Sequence, residues 1–272
     1  MSEDAVLYAV DGPVATVTLN RPDKLNVINQ AVVDGVTAAM KKAEADKAVS
    51  VVVLKGAGRS FCAGYDLTRE YPEGDANRSS ALWWHEHFTK SLGFYMTIFD
   101  LRKPVVASVQ GHAVGAGCWL TMVCDLTLCA DNARFGEPEI RFSSSGSMVL
   151  MPWIMGIKRA RELIYFGDQI DAETAKEIGL VNRIYPAAEL EAATMRYARR
   201  LALNAPEALQ RAKLAINRTM EEAGFKNALR AGVDVIAAIY AEETGVTRAF
   251  RDSVAKDGLA TALRARNALF KE

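Results

Sequence analysis

Short apolar runs rich in β-branched residues recur along the first two thirds of the chain, with amphipathic stretches between them. Four of these runs predict strands, at Val14 to Leu19, Val49 to Leu54, Val105 to Val109 and Leu126 to Ala130. Residues 30–45 carry apolar side chains at three- and four-residue spacing, which predicts a helix. Strands that alternate with helices predict an α/β fold with a largely parallel sheet.

After Pro186 the strand-like runs stop and only helical patterns remain. Four helices are predicted, at residues 189–202, 206–223, 227–243 and 259–270, with Gly224 and Gly258 as helix stops. In the third helix, apolar side chains form one stripe that must be covered, either by the body of the protein or by another subunit. This stripe consists of Leu229, Val233, Ile236 and Tyr240.

Composition narrows the class of protein. The chain has 272 residues, and the 50% that are hydrophobic are enough for a sizeable core. Because 33 basic side chains balance 33 acidic ones, nothing indicates a nucleic-acid partner. The acidic N-terminus resembles no secretory signal, and no apolar run is long enough for a membrane span. Four cysteines in apolar runs are typical of buried thiols in a reducing compartment, so we expect a cytoplasmic protein.

Two glycine-containing turns are candidates for binding an oxyanion or a polarised carbonyl. Gly115-Ala116-Gly117 opens a predicted helix, whose first amides lack intrahelical acceptors. The alternative is that these glycines only allow close packing of strand and helix. Residues 60–67 form a second turn after a buried strand. Cys62 in this turn is a conceivable nucleophile, but its apolar surroundings favour an inert role.

The candidate acid–base residues are few. Glu137 and Glu139 lie beside an apolar run, and a partly buried Glu139 would have a raised pKa suited to proton transfer, although solvent-facing charge is the default for a glutamate. His85 and His87 are two residues apart and so do not share a helix face, which makes a metal site improbable. His112 is assigned no role.

Taken together, these segments resemble the crotonase superfamily, the enoyl-CoA hydratase/isomerase proteins. The resemblance covers the chain from about Val14 onward, and several separated motifs occur in the family's order. The matching stretches are Asn20-Arg21-Pro22 with Leu25-Asn26, Phe61 to Leu67, Lys103 to Asp125, Phe135 to Glu139, Gly167 to Pro186 and, more weakly, Asp257-Gly258-Leu259 with Arg266.

The resemblance implies a spiral of ββα units over residues 1–195 and a helical C-terminal region, 196–272, that assembles the chain into homotrimers or homohexamers. It implies an oxyanion hole for the carbonyl of an acyl-CoA substrate, formed by the backbone N–H groups of Tyr65 and Ala116. Coenzyme A is then part of the substrate, and no separate cofactor is expected. The positions that match the family's CoA-binding segments are Lys24, Leu25, Ala63, Gly64, Asp66 and Leu67.

Two departures from the family pattern bear on the reaction. Trp119 stands where family hydratases carry their first glutamate, and an indole cannot act as a base. The second glutamate is present as Glu139, while the loop after it, Phe142 to Ser147, predicts a different pocket wall. One carboxylate suits an isomerase that shifts the double bond of 3-enoyl-CoA to 2-enoyl-CoA.

Other functions stay open at this point. A hydratase that positions water without the first glutamate is the nearest alternative, and thioester hydrolysis, decarboxylation or carbon–carbon cleavage also proceed through the same enolate. A catalytically inactive CoA-thioester binder is the alternative from another class. The acyl chain cannot be inferred from the residues, although Tyr65, Trp119 and the Trp83-Trp84 segment predict an aromatic-lined pocket.

Overall fold

The computed structural model describes residues 4–67, 79–142, 145–146 and 148–270. The predicted loop residues Ser143, Ser144 and Ser147 lie outside this part. The strands are Val6–Asp11 (β1), Val14–Leu19 (β2), Val51–Gly56 (β3), Val105–Val109 (β4), His112–Val114 (β5), Leu126–Ala130 (β6), Arg134–Gly136 (β7), Ile170–Asp171 (β8) and Arg183–Tyr185 (β9). The α-helices are Gln30–Ala45 (α1), Ala81–Phe99 (α2), Ala116–Val123 (α3), Met151–Met155 (α4), Ile157–Phe166 (α5), Ala172–Glu177 (α6), Leu190–Leu201 (α7), Pro206–Glu222 (α8), Phe225–Ala241 (α9), Gly245–Asp257 (α10) and Leu259–Ala268 (α11). Short 3-10 helices span Pro22–Lys24 and Pro138–Phe142.

The strands form two sheets. The larger has the order β1-β2-β3-β4-β6-β9, in which β1 pairs antiparallel with β2 and the other neighbours pair in parallel. In the smaller sheet β7 pairs in parallel with β5 and antiparallel with β8. The predicted α/β class with largely parallel pairing is therefore confirmed. The smaller sheet leads into two short helices, because β5 is followed by α3 and β7 by the 3-10 helix at Pro138–Phe142.

The central strands are buried on both faces, as their uninterrupted apolar runs predict. Successive side chains of β3 point to opposite faces, so Val52 and Leu54 enter the main core while Val51 and Val53 enter a smaller one. The main core also contains the apolar face of α1 and most of α3. The smaller core is closed by α7. Every residue of α3 is buried, so the start of this helix is fixed by packing on all sides.

The apolar stripe of α9 is covered within the chain. Leu229 and Val233 are each only 1% exposed, and the helix packs along α2. The Tyr240 ring contacts the rings of Trp84 and Phe88, with centroids 4.9 and 4.7 Å apart. The stripe therefore gives no support to the predicted trimer or hexamer, which stays a prediction. The predicted boundary after residue 195 falls inside α7, and the division of the chain into two regions stays a prediction.

In the described part of the chain, no helix combines the length and the apolar character that crossing a membrane requires.

Candidate active site

Main-chain hydrogen bonds bring the two glycine-containing turns together. The Cys62 N–H donates to the His112 carbonyl at 2.9 Å, and the Val114 N–H donates back to the Cys62 carbonyl at 3.1 Å. The same turn also pairs with Ile28. The Ile28 N–H donates to the Gly64 carbonyl at 2.8 Å, and the Asp66 N–H donates to the Ile28 carbonyl at 2.9 Å. In such a parallel bridge the amide of the middle residue, here Tyr65, points away from Ile28.

The Ala116 amide lies close to the Gly64 turn. Ala116 is the first residue of α3, where an N–H has no intrahelical acceptor. Among the described residues no carbonyl accepts from it. A Cβ atom placed on Gly64 would lie 3.8 Å from the Ala116 nitrogen. The structure thus brings together the segments that carry the two predicted oxyanion-hole amides.

The two glycines around Ala116 serve different purposes. A Cβ on Gly117 would lie 2.1 Å from the Cys62 carbonyl oxygen. Gly117 therefore allows α3 to pack closely against the turn at Cys62, the packing role considered for these glycines in the sequence analysis. Gly115 adopts φ +57°, a conformation that favours glycine. A Cβ there would lie 2.5 Å from Glu139 Oε1. Gly115 therefore makes room for a carboxyl group directly beside the start of α3.

Glu139 lies in the 3-10 helix that follows β7. Its side chain is partly buried, and its Oε2 atom has no solvent-accessible surface. Burial raises the pKa of Glu139 to about 7. A carboxyl group with this pKa gains and loses a proton readily near neutral pH, as a general base or acid must.

The C-terminal helix α11 holds the segment that carries Glu139. Buried Arg141 donates to the Phe166 carbonyl at 2.8 Å and to Asn267 Oδ1 at 3.1 Å, and it forms an ion pair with Asp168. Arg266 in turn donates to the Arg141 carbonyl at 2.5 Å. These bonds join the 3-10 helix after β7 to α11, so the position of Glu139 depends on residues more than a hundred positions further along the chain.

Trp119 is buried beside the two turns. It is 3% exposed, and its ring meets the edges of Tyr65 and Tyr95 at centroid distances of 6.2 and 5.7 Å. The Tyr95 hydroxyl donates to the Ala116 carbonyl at 3.3 Å. Tyr65 and Trp119 thus lie together, as predicted. The Trp83 ring instead stacks on His87 in α2, with centroids 5.4 Å apart.

Sequence reasoning placed Glu137 beside Glu139 but assigned a role only to Glu139. Glu137 is only 4% exposed. Burial, and then the nearby charge of Glu139, raise its pKa well above the ordinary value. A Cβ on Gly146 would lie 2.8 Å from Glu137 Oε2 and 2.4 Å from Trp119 Cζ2, so the carboxyl group and the indole flank the same spot. The only signal in the sequence was its place in the Phe135 to Glu139 motif, which does not predict burial.

The predicted CoA-binding positions differ in what they can offer a ligand. The Ala63 N–H donates to the Leu25 carbonyl at 3.0 Å, which joins the two predicted segments. Lys24 is exposed, and Leu67 is 48% exposed. Asp66 is buried and paired with Arg21 at 2.9 Å, so its carboxylate has a structural partner.

A buried amide, which the sequence marks only as part of a motif, organises this region. The Asn26 side chain accepts from the Arg21 N–H at 2.8 Å and donates to the carbonyls of Ala57 and Ser60 at 2.8 and 2.7 Å. Asn26 itself has φ +56°, a conformation that asparagine tolerates better than most residues. It ties the segment around Lys24 to the loop after β3.

The cysteines and histidines lie in surroundings that do not indicate a catalytic or metal-binding role. All four cysteines are buried and free, and burial raises the pKa of the Cys62 thiol to about 12, which does not suit a nucleophile. His85 contacts Asp234 at 2.9 Å, and His112 is exposed at the start of β5. Among the described residues, no three His, Cys, Asp or Glu side chains are grouped to hold a metal ion.

Comparison with known proteins identifies the family. The sequence signature described as Enoyl-CoA hydratase/isomerase matches residues 10–250. The chain belongs to this family. It is 34% identical over 227 residues to a short-chain-enoyl-CoA hydratase of Clostridium acetobutylicum, and 32% identical over 228 residues to a probable enoyl-CoA hydratase of Rhizobium meliloti (strain 1021). Each match covers 81% of this chain and 84% of the relative.

Solved structures agree with the sequence comparison. A crystal structure of an enoyl-CoA hydratase/isomerase from Xanthobacter autotrophicus Py2 superposes with a TM-score of 0.93, at 33% identity, and the match covers all of both chains. A probable enoyl-CoA hydratase from Mycobacterium smegmatis gives a TM-score of 0.81 at 30% identity, covering 93% of this chain and 97% of that one. The protein is thus a crotonase-type enzyme with the crotonase fold, as the motifs predicted.

Proposed function

We propose that this enzyme acts on an acyl-CoA thioester by isomerase-type proton transfer, shifting the double bond of 3-enoyl-CoA to 2-enoyl-CoA. The observation that carries the proposal is the position of the Glu139 carboxyl against Gly115, next to the Ala116 amide. A thioester whose carbonyl oxygen faces that amide would have its C2 protons near the carboxylate.

The oxyanion hole supplies the stabilisation in this mechanism. When Glu139 removes a proton from C2, negative charge moves to the thioester oxygen. The amides of Tyr65 and Ala116 are the proposed donors, and as fixed backbone dipoles they reorganise little during the reaction. The N-terminal end of α3 adds a positive partial charge on the same side. Glu139 then returns the proton to C4, so one carboxyl group serves as base and acid.

The CoA part of the substrate is assigned by family resemblance to the surface of Lys24, Leu25, Ala63, Gly64 and Leu67. The exposure of Lys24 and Leu67 supports this assignment. Asp66, also in the predicted set, would contribute by holding Arg21 and the turn rather than by touching the ligand. Coenzyme A remains part of the substrate in this proposal.

Glu139→Gln tests the mechanism. Glutamine keeps the size of the side chain but cannot transfer the proton, so isomerisation of 3-enoyl-CoA should fall by about 10²–10⁴-fold. Glu177→Gln, at an exposed position of α6, is the matched control and should leave the rate unchanged. Full activity of a folded Glu139→Gln protein would refute the proposal.

Hydration of 2-enoyl-CoA is the second candidate function. It is favoured by the two curated relatives above, both of which are named as enoyl-CoA hydratases. Following both reactions by mass and absorbance, with substrates of several acyl lengths, separates these candidates. No turnover of either substrate would favour the inactive CoA-thioester binder.

We also propose, from family resemblance, that the enzyme assembles into a trimer or hexamer. Sedimentation at micromolar concentration is the test, and a monomer would contradict the proposal.

A further inference from the structure

Glu137 is a buried carboxyl group that the proposed isomerisation does not use. It is 4% exposed, less than Glu139 beside it in the sequence, and its Oε1 atom has no hydrogen-bond partner among the described residues. Leaving a buried polar atom without a partner destabilises a fold. A buried polar atom in this state therefore calls for an explanation, and a catalytic role is one of those known.

The position of Glu137 points to the reaction centre. Its Oε2 atom and the edge of the Trp119 ring flank the same spot at Gly146, in the loop after the Glu139 helix. Trp119 occupies the position of the first glutamate of family hydratases. The Glu137 carboxyl group therefore lies beside Trp119, the side chain that stands in place of the hydratase glutamate.

The Trp119 indole suits this neighbour. Its N–H is buried and has no hydrogen-bond partner of good geometry among the described residues, yet it lies near enough to Glu137 to lower the pKa of that group. An indole N–H only donates, so it favours the ionised carboxylate over the neutral acid. It can stabilise Glu137 at the moment when Glu137 has given up a proton.

The charge of Glu139 acts on the protonation of Glu137. Both pKa values are raised by burial, and the charge of Glu139 raises that of Glu137 further. An ionised Glu139 therefore favours the neutral form of Glu137. One neutral acid and one carboxylate are the two states that addition of water to a double bond requires.

We propose that Glu137 is a second catalytic acid–base residue, which lets this enzyme hydrate 2-enoyl-CoA even though Trp119 replaces the first glutamate. The inference rests on the proposed oxyanion hole and on Glu139 as the partner base. As the water oxygen bonds to C3, Glu139 takes a water proton and the π electrons of the C2–C3 bond move to the thioester oxygen. The enolate electrons then return to C2, which takes the proton of Glu137. A proton passed from Glu139 to Glu137 restores both groups.

Glu137→Gln is the first test, measured with both substrates. Hydration of 2-enoyl-CoA should fall by about 10²–10⁴-fold, while the double-bond shift of 3-enoyl-CoA should change only a few-fold. Glu139→Gln should reduce both reactions. If Glu137→Gln leaves hydration intact, or reduces both reactions equally, the inference is overturned while the proposed function stands. If Glu139→Gln leaves both reactions intact, the proposed function fails.

The pH dependence of the unmodified enzyme provides a test that needs no variant. Hydration needs Glu139 ionised and Glu137 protonated, so its kcat/KM should rise with pH near 7 and fall again at higher pH. Isomerisation needs only ionised Glu139, so its kcat/KM should rise with pH near 7 and should not fall again at higher pH. Absence of hydration by the wild type, or a hydration profile without the alkaline fall, would contradict the role of Glu137.

Discussion

The amide wall of the site, residues 62–66 and 113–116, is built from main-chain atoms, whereas the carboxyl wall, Glu137, Glu139 and Trp119, is built from side chains. Backbone bridges between Cys62 and Ala113 and between Ile28 and Tyr65 hold the amide wall. The carboxyl wall instead places ionisable groups out of water, at a cost in stability. In the proposed mechanisms the amide wall serves any thioester enolate, while the carboxyl wall decides where protons go.

Ala116→Pro breaks the amide wall and should lower activity more than loss of the Trp119 indole does. Proline is tolerated in the first turn of a helix, because the N–H that it lacks would be unpaired there. Loss of one oxyanion donor should lower thioester turnover by about 10²–10³-fold with little change in melting temperature.

Ala172→Pro is the matched control for this change, because Ala172 is likewise the first residue of a helix, α6. It should leave turnover unchanged. A folded Ala116→Pro enzyme with wild-type rates for every reaction would show that the amide wall does not act through Ala116.

Trp119→Phe sharpens the comparison from the carboxyl wall. The phenyl ring keeps contact with Tyr65 and Tyr95 but loses the indole N–H and leaves a small void. We expect isomerisation to fall far less than in Glu139→Gln, since the indole carries no proton in that reaction. Trp153→Phe, in α4, is the control for the loss of an indole elsewhere. A loss as large as that of Glu139→Gln would assign Trp119 a chemical role in isomerisation.

The smallest expected effect is on stability. Folding raises the pKa of Glu139 from 4.5 to about 7, so the folded state binds this proton more tightly than the unfolded state. The contribution of the Glu139 proton to wild-type stability is then fully present below pH 4.5 and is lost as the pH rises through about 7. Glutamine has no charge to desolvate, so the melting temperature of the Glu139→Gln variant should exceed that of the wild type at pH 8. The difference between the two melting temperatures should be smaller at pH 4.5. A difference that does not vary with pH would show that Glu139 is not desolvated in the folded protein.

The sequence predicts elements that have a regular, buried apolar face and misses those that lack one. Helix α1 was predicted with its observed bounds, because its apolar spacing is regular and the Asn29 side chain caps it by accepting from Val32. Helix α10 was missed, because its apolar side chains are few and none of its residues is buried. Strand β1 was missed as well, since this edge strand is mostly exposed.

At the site, the local sequence predicted the two glycine turns but not the burial of the Glu137 carboxyl group. Gly64 and Gly115 both have positive φ, and such turns are visible in composition. The burial of Glu137 depends on Trp119 and Gly146, which come from other segments of the chain. Nothing within a few residues of Glu137 distinguishes it from a solvated glutamate.

The bonds from α11 to Arg141 also have a consequence for the newly made enzyme. Arg141 and Asn267 are 126 positions apart. At about 5–20 residues per second, a ribosome needs roughly 6–25 s to pass from one to the other. In the later part of that interval, once β9 has been made, every strand of the main sheet is present while the helix that carries Glu139 still lacks its anchor. We therefore expect a nascent chain to gain activity only after α11 has been made.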